Sequence, residues 1–169
     1  MSAKDKDIMT TDFIPEKIYE LPGIIQKASQ WKKEGKKIVF TNGVFDLLHK
    51  GHIFSLSQAA RHGDILIIGL NSDSSVKKLK GDSRPINDQD ARALLLASIF
   101  MVDAVVIFEE DTPLNLITSI LPDVLVKGGD YTIDEIAGAK EVIANGGKIV
   151  INPILDGFST TAIINAISK

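Results

Sequence analysis

Cysteine is absent from the 169 residues, which excludes disulfides, thiolate nucleophiles and cysteine-ligated zinc and suits a reducing compartment. Aromatic residues make up only 6% and the formal charge is −3. With few rings to stack on bases and no broad basic face to neutralise a phosphate backbone, nucleic acid is not an expected partner. Long apolar runs are missing too. The longest apolar-rich stretch, Ala93 to Val102, is broken by Ser98, and it falls far short of the ~20 residues that cross a membrane. The opening "MSAKDKDIMTTD" carries charges where a signal peptide needs an apolar core. A soluble, cytoplasmic protein with no membrane partner is expected. Histidine is scarce, three in all, yet two of them, His49 and His52, share one turn of "TNGVFDLLHKGH".

What is present suits a packed core: 44% of residues are hydrophobic and 24% charged. The length points to one domain, residues 16–169, behind a disordered tail over residues 1–15. Leu21, Ile24, Ile25, Ala28 and Trp31 recur at helical spacing and predict a helix over about residues 21–34, stopped by Gly35. Beyond it, "KIVF", "DILIIGL", "AVVIF", "DVLVK" and "KIVIN" read as five buried strands. Helix-length segments separate them, roughly Lys50–His62, Asp88–Ser98, Pro113–Ile120, Ile133–Ala144 and Thr160–Ser168. Near-continuous apolar strands alternating with helices predict a doubly wound, five-stranded parallel α/β sheet with helices on both faces.

Ligands bind such sheets at the carboxyl ends of the strands. The five loops there begin "TNGVFD", "NSDSSVKKLKGDSRP", "EEDTP", "KGGD" and "NPILDGFSTT". Four of them combine glycines, hydroxyls, lysines or acids, the donors and acceptors a nucleotide needs. In the next helix Ile53, Leu56, Ala59 and Ala60 form the core stripe, which leaves His49 and His52 at its start. Unpaired N–H groups and the positive end of the helix dipole lie there, so the turn suits an anion. Gly51 lets a phosphate approach the backbone, and Asp46 is in range to hydrogen-bond either ring. Zinc is excluded by the lack of a third ligand, His62 lying about three turns further on.

His49-Lys50-Gly51-His52 resembles the histidine-x-glycine-histidine turn of the cytidylyltransferase-like nucleotidyltransferases. Together with "NSDSSVKKLKGDSRPIN", "EEDTP", "PDVLVKGGDY" and "DGFSTT", it is similar to the branch that adenylylates heptose 1-phosphate to ADP-heptose for the lipopolysaccharide inner core. The resemblance runs from about Lys37 to the C-terminus. It implies a Rossmann-like fold, ATP with Mg²⁺ as cofactor, and a homo-oligomer, for whose interface Leu21, Ile25 or Trp31 are candidates. It also implies a heptose kinase in the same pathway, expected as a separate protein since nothing precedes residue 1.

By that resemblance His49 and His52 hold the triphosphate and stabilise the transition state as hydrogen-bond donors. Lys80, then Lys77, are the phosphate contacts expected from the second loop, whose lysines also suit a solvated helix. Arg92 is either a phosphate contact or a structural salt bridge. Thr41, Asn42, Gly43, Phe45, Asp46 and Gly51 of the first loop, with Gly129 and Asp130 of the fourth, complete the nucleotide contacts expected upstream. Asp130 can accept from a ribose hydroxyl or a base amine. Of Ser159, Thr160 and Thr161, helix capping needs one, and the family sets this position against the nucleotide phosphates.

Relatives acting on glycerol 3-phosphate carry threonine before the Phe-Asp pair, where this chain has Val44. They also carry Arg-Thr-Glu-Gly where it has Ile154-Leu155-Asp156-Gly157. Both changes disfavour that substrate and leave a phosphate contact to be supplied by Thr41, Asn42 or Lys127. A cytidylyltransferase of a polyol phosphate is the alternative within the chemistry. A non-catalytic nucleotide-binding domain is the alternative outside it.

Overall fold

The computed structural model describes residues 13–129 and 131–167. Residues 1–12 of the expected tail lie outside the described residues, as does Asp130. A 3-10 turn at Pro15–Lys17 leads into β1 (Ile18–Tyr19), α1 (Leu21–Lys33), β2 (Ile38–Gly43), α2 (Lys50–Ala60), β3 (Ile65–Asn71), α3 (Asp73–Lys80) and α4 (Gln89–Ala97). The chain continues through β4 (Ala104–Phe108), α5 (Leu114–Ile120), β5 (Val124–Gly128), a 3-10 turn at Ile133–Glu135, α6 (Ala139–Ala144), β6 (Lys148–Asn152) and α7 (Thr160–Ile167).

All strand pairs are parallel, in the order β1-β4-β3-β2-β5-β6. The pleat divides the apolar strands between two cores. Ile38, Phe40, Ile67, Val106 and Leu125 pack with α1, α5 and α6, whereas Val39, Leu66, Ile68, Val105 and Val124 pack with α2 and α4. Removing each such side chain from water contributes roughly 1.5–3 kcal/mol. Three aspartates pin the opposite end of the sheet. Asp64 accepts from the Lys37 N–H at 2.8 Å, Asp123 from Ile38 at 2.7 Å and Asp103 from Leu66 at 2.7 Å. From β2 the chain runs to β3 and β4 on one side, and β5 and β6 fill the other. The order therefore reverses at β2, and the crevice above its carboxyl end is the expected place for a ligand.

The sheet has six strands, not five. The two-residue β1 pairs Ile18 with Val105 and Tyr19 with Val106, an edge addition too short to leave an alternating pattern. The second loop contains a helix, α3, started by the Ser72 hydroxyl, which accepts from the Ser75 N–H. The core stripe of α2 is narrower than the spacing predicts, because Ile53 is 40% exposed. On α4, Leu94 and Leu95 face outward while Ala93, Leu96 and Ala97 are buried. Leu21 and Trp31 pack against the core, so of the three interface candidates only Ile25 is exposed. Among the described residues no helix is long and apolar enough to cross a membrane.

Candidate active site

The first loop leaves β2 through a tight turn in which Phe45 takes a left-handed φ of 47°. His49 is the N-cap of α2, in extended conformation and making no side-chain cap bond. His52, one turn on, stacks its ring on that of His49 at 3.8 Å between centroids and 20° between planes, and the Phe45 ring tilts against His52 at 5.2 Å. Gly51 leaves this packing its room. A Cβ there would lie 3.0 Å from Cε1 and Nδ1 of His49 and 3.3 Å from Cβ of Phe158.

Burial lowers the pKa of both imidazoles. His52 falls to about 4, with His49 beside it adding to the effect and the Leu47 carbonyl opposing it; His49 falls through burial alone. Both rings are neutral at pH 7 before a ligand arrives. Nδ1 of each is buried without a hydrogen-bond partner among the described residues. Anionic charge brought to this helix start favours the protonated forms and turns both rings into stronger donors.

The pair opens onto a cavity of about 430 Å³ built from the first, second and last loops. Of the residues expected from sequence, it brings together Phe45, Asp46, His49, Gly51, His52, Lys80, Ser159, Thr160 and Thr161. The three hydroxyls divide their work. Ser159 caps α7 by accepting from the Ala162 N–H at 3.1 Å, Thr160 donates to the Leu47 carbonyl at 3.4 Å, and Thr161 lines the cavity. Val44, Ile154 and Leu155, at positions where the sequence departs from glycerol 3-phosphate relatives, also line it, as do Ser55, Arg84 and Phe158, which the sequence reading did not place in the site. Ser55 had a signal: it lies three residues after His52, on the same face of α2. Arg84 lay within a basic stretch already singled out.

Asp46 does not contact the histidines. It is 2% exposed and holds the 81–88 loop. Its carboxylate accepts from Arg84 Nε and from the N–H groups of Ile86 at 2.7 Å and Asn87 at 3.0 Å, while its carbonyl accepts from Asn87 Nδ2 at 3.1 Å. Arg92, read as a phosphate contact or a salt bridge, has the geometry of the second. It is fully buried and absent from the cavity wall. Its Nη1 donates to the carbonyls of Val44 and Asn71 at 2.8 Å each, Nε donates to Asn87 at 3.0 Å and Nη2 to Asp73 at 2.6 Å. It thus ties the carboxyl ends of β2 and β3 to the loop that Asp46 holds.

Thr41, Asn42, Gly43, Lys77 and Gly129 also lie outside the cavity wall. Lys77 projects from the exposed side of α3, and Gly129 turns the chain after β5 at a φ of 106°. A second polar group forms where β2 and β5 lie side by side. Lys127 donates to Asn42 Oδ1 at 2.6 Å, its ammonium 5.8 Å from the centre of the Tyr131 ring, and burial draws its pKa down to about 8.

The cavity's donor set suits a phosphate chain and not a bare cation. Imidazoles, Lys80, Arg84 and hydroxyls surround it, and the Asp46 carboxylate already accepts three bonds. No group of three or more His, Cys, Asp or Glu that could hold a metal exists among the described residues. The Mg²⁺ expected with ATP has no protein ligand set among them.

A parallel sheet whose order reverses under a paired-histidine turn is the framework of a nucleotide-binding transferase, and residues 40–166 match the family profile described as cytidylyltransferase-like. The chain belongs to the cytidylyltransferase-like family and is a nucleotidyltransferase domain. It is 56% identical over 135 residues, 80% of its length, to the bifunctional protein HldE of Rhodospirillum rubrum. It is likewise 56% identical over 138 residues, 82% of its length, to bifunctional protein HldE of Shigella flexneri serotype 5b. It spans only 27% and 29% of those two proteins. A lipopolysaccharide core biosynthesis protein from Thermoplasma volcanium superposes with a TM-score of 0.59 at 28% identity, over 72% of this chain and 98% of that one. Pantoate-beta-alanine ligase of Francisella tularensis, at 17% identity and a TM-score of 0.58, covers 89% of this chain and 76% of its own and shares the fold.

Proposed function

We propose that this domain transfers AMP from ATP to D-glycero-β-D-manno-heptose 1-phosphate, giving ADP-heptose and pyrophosphate for the lipopolysaccharide inner core. The observation that carries the reading is the stacked, neutral His49–His52 pair at the start of α2, facing a cavity rimmed by Lys80 and hydroxyls. Similarity to HldE proteins and to a lipopolysaccharide core biosynthesis protein supports the choice of acceptor.

In this reaction an oxygen of the sugar phosphate attacks the α-phosphorus of ATP. The new P–O bond forms as the bond to the β-phosphate breaks, and pyrophosphate leaves with the electron pair. A phosphate monoester is largely dianionic at pH 7, its second pKa being about 6, so no general base is needed. The residues then position the reactants and offset charge. His49 and His52 donate to the phosphate chain, joined by Lys80, and Thr160 and Thr161 border it. Lys127, held by Asn42 at the neighbouring strand ends, is the candidate for the sugar phosphate. Mg²⁺ bound to the triphosphate supplies further charge neutralisation. We also place the active protein in a homo-oligomer.

The family description, cytidylyltransferase-like, favours one second reading, CTP as the nucleotide, for which a polyol phosphate such as glycerol 3-phosphate would be the acceptor. Against it, Val44, Ile154 and Leu155 present apolar side chains to the cavity where glycerol 3-phosphate relatives carry threonine and arginine. Pyrophosphate release with Mg²⁺, crossing ATP and CTP against heptose 1-phosphate and glycerol 3-phosphate, tests the assignment. Release with ATP and heptose 1-phosphate alone is expected. Another productive pair moves the substrate, and silence in every combination, or full turnover by His52→Ala, overturns the catalytic reading.

A further inference from the structure

Arg84 is the cation in the cavity that the reaction has not yet used. Its side chain is 15% exposed, and among the described residues that side chain's one bond runs from Nε to the buried Asp46 carboxylate. An arginine held through Nε keeps its two terminal nitrogens, with four N–H donors in one plane, for something else. Arg84 lines the same cavity wall as His49, His52 and Lys80. Asp46 fixes the side chain's course, and the Ile86 and Asn87 N–H groups, bound to that carboxylate at 2.7 and 3.0 Å, fix the loop that carries it. A planar fork on a fixed stem is pre-organised for bidentate contact with phosphate oxygens, and it loses little side-chain entropy when it binds.

We propose that Arg84 grips the leaving pyrophosphate end of the nucleotide, with Asp46 as the residue that positions it. The inference rests on the nucleotidyltransferase reading of this cavity and extends it to a residue that the histidine turn does not include. Charge builds on the leaving pyrophosphate as the bond to the α-phosphorus breaks. A guanidinium already in place meets that charge without reorganisation. The acceptor-side candidate, Lys127, is not among the residues that line the cavity and is held instead by Asn42.

Arg84→Gln isolates the contact. Gln places Nε2 at the same distance along the chain as Arg Nε, so the bond to Asp46 can be kept while the fork and its charge are removed. Binding of inorganic pyrophosphate by calorimetry should weaken roughly ten- to hundred-fold, the range for loss of a charge-assisted pair. The KM for the sugar phosphate should stay near the wild-type value, and guanidinium ion added to Arg84→Ala should restore part of the loss. The thermal midpoint of each variant reports folding. If Arg84→Ala does not fold, Arg84→Gln and Arg84→Lys carry the test, the lysine keeping charge but losing the fork and standing between the glutamine and the wild type. Unchanged pyrophosphate affinity in a folded Arg84→Gln would make Arg84 a strut only, and a rise confined to the sugar phosphate KM would move it to the acceptor; either result overturns the proposal. Failure of the wild type to bind pyrophosphate would instead strike the reading of the cavity on which it depends.

Discussion

Acid should weaken this protein through one imidazole in particular. His52 titrates at about 4 in the fold and near 6.5 in an unfolded chain. Between those values the unfolded state binds the extra proton, so stability rises with pH across the window and is lost as pH falls from about 6.5 towards 4. Lowering the pH from 7 to 5 removes about 2 kcal/mol by this linkage, and about 1–2 kcal/mol once solvent screening of the partly exposed ring is included. Urea unfolding at the two pH values, for the wild type and for His52→Gln, isolates the effect, because the carboxylates titrate in both proteins. The difference between the two should shrink by that amount at pH 5. Proton NMR of the His52 ring gives the midpoint directly, and saturating pyrophosphate should raise it, since bound anion favours the imidazolium. A free-protein midpoint at or above 6.5, or parallel pH slopes for the two proteins, would refute the claim that burial keeps the pair neutral.

Gly51→Ala places a Cβ 3.0 Å from the His49 ring, which should cost about 1–3 kcal/mol or turn the ring away. A fall in kcat/KM of tenfold or more with retained folding is the expected reading, and full activity would show that the ring's placement is immaterial. Arg92→Met leaves the Val44 and Asn71 carbonyls unpaired in the interior; a loss of roughly 3 kcal/mol or more in urea unfolding is expected, and a change within error would mean that the loops hold without it. Lys127→Ala should raise the KM for the sugar phosphate and leave kcat little changed. The wild-type KM should itself climb above pH 8, because the Lys127 ammonium, at about 8, is charged below that value and neutral above it; a KM that ignores both changes removes Lys127 from the site.

Four of the five long strands were legible because burial on both faces writes them as unbroken apolar runs. The fifth, the edge strand β6, keeps an apolar run although only Asn152 is buried and Ile151 is 38% exposed, so the expectation of five buried strands holds for four. β1 was not legible: Ile18–Tyr19 is a strand only because the edge of β4 is there to receive it. α3 leaves a weak signal in the sequence because Val76 is its one buried apolar residue among three lysines, although Ser72 is a capping residue. The histidine turn was legible from the rarity of histidine and from its place after a strand. The partners of Asp46 and Arg92 were not legible, for a shared reason. Apart from the Arg92 bond to the nearby Asn87 carbonyl, their side-chain bonds go to groups 19 to 48 positions away, and spacing along the chain says nothing about such partners. The last loop's apolar contribution, Ile154, Leu155 and Phe158, depends on a backbone path that no local pattern encodes.

The attachment of the 81–88 loop to Asp46 has a consequence for how this site can change. Two of the three bonds to that carboxylate come from main-chain N–H groups, at Ile86 and Asn87. These donors are present whatever side chains stand there, proline excepted. The carboxylate therefore holds the loop by its shape more than by its sequence. Gly81 is kept by its φ of 92° and by the Arg84 N–H its carbonyl accepts, but the exposed Asp82 and Ser83 are free to drift, or to be redesigned for another nucleotide, without unfastening the turn beneath them.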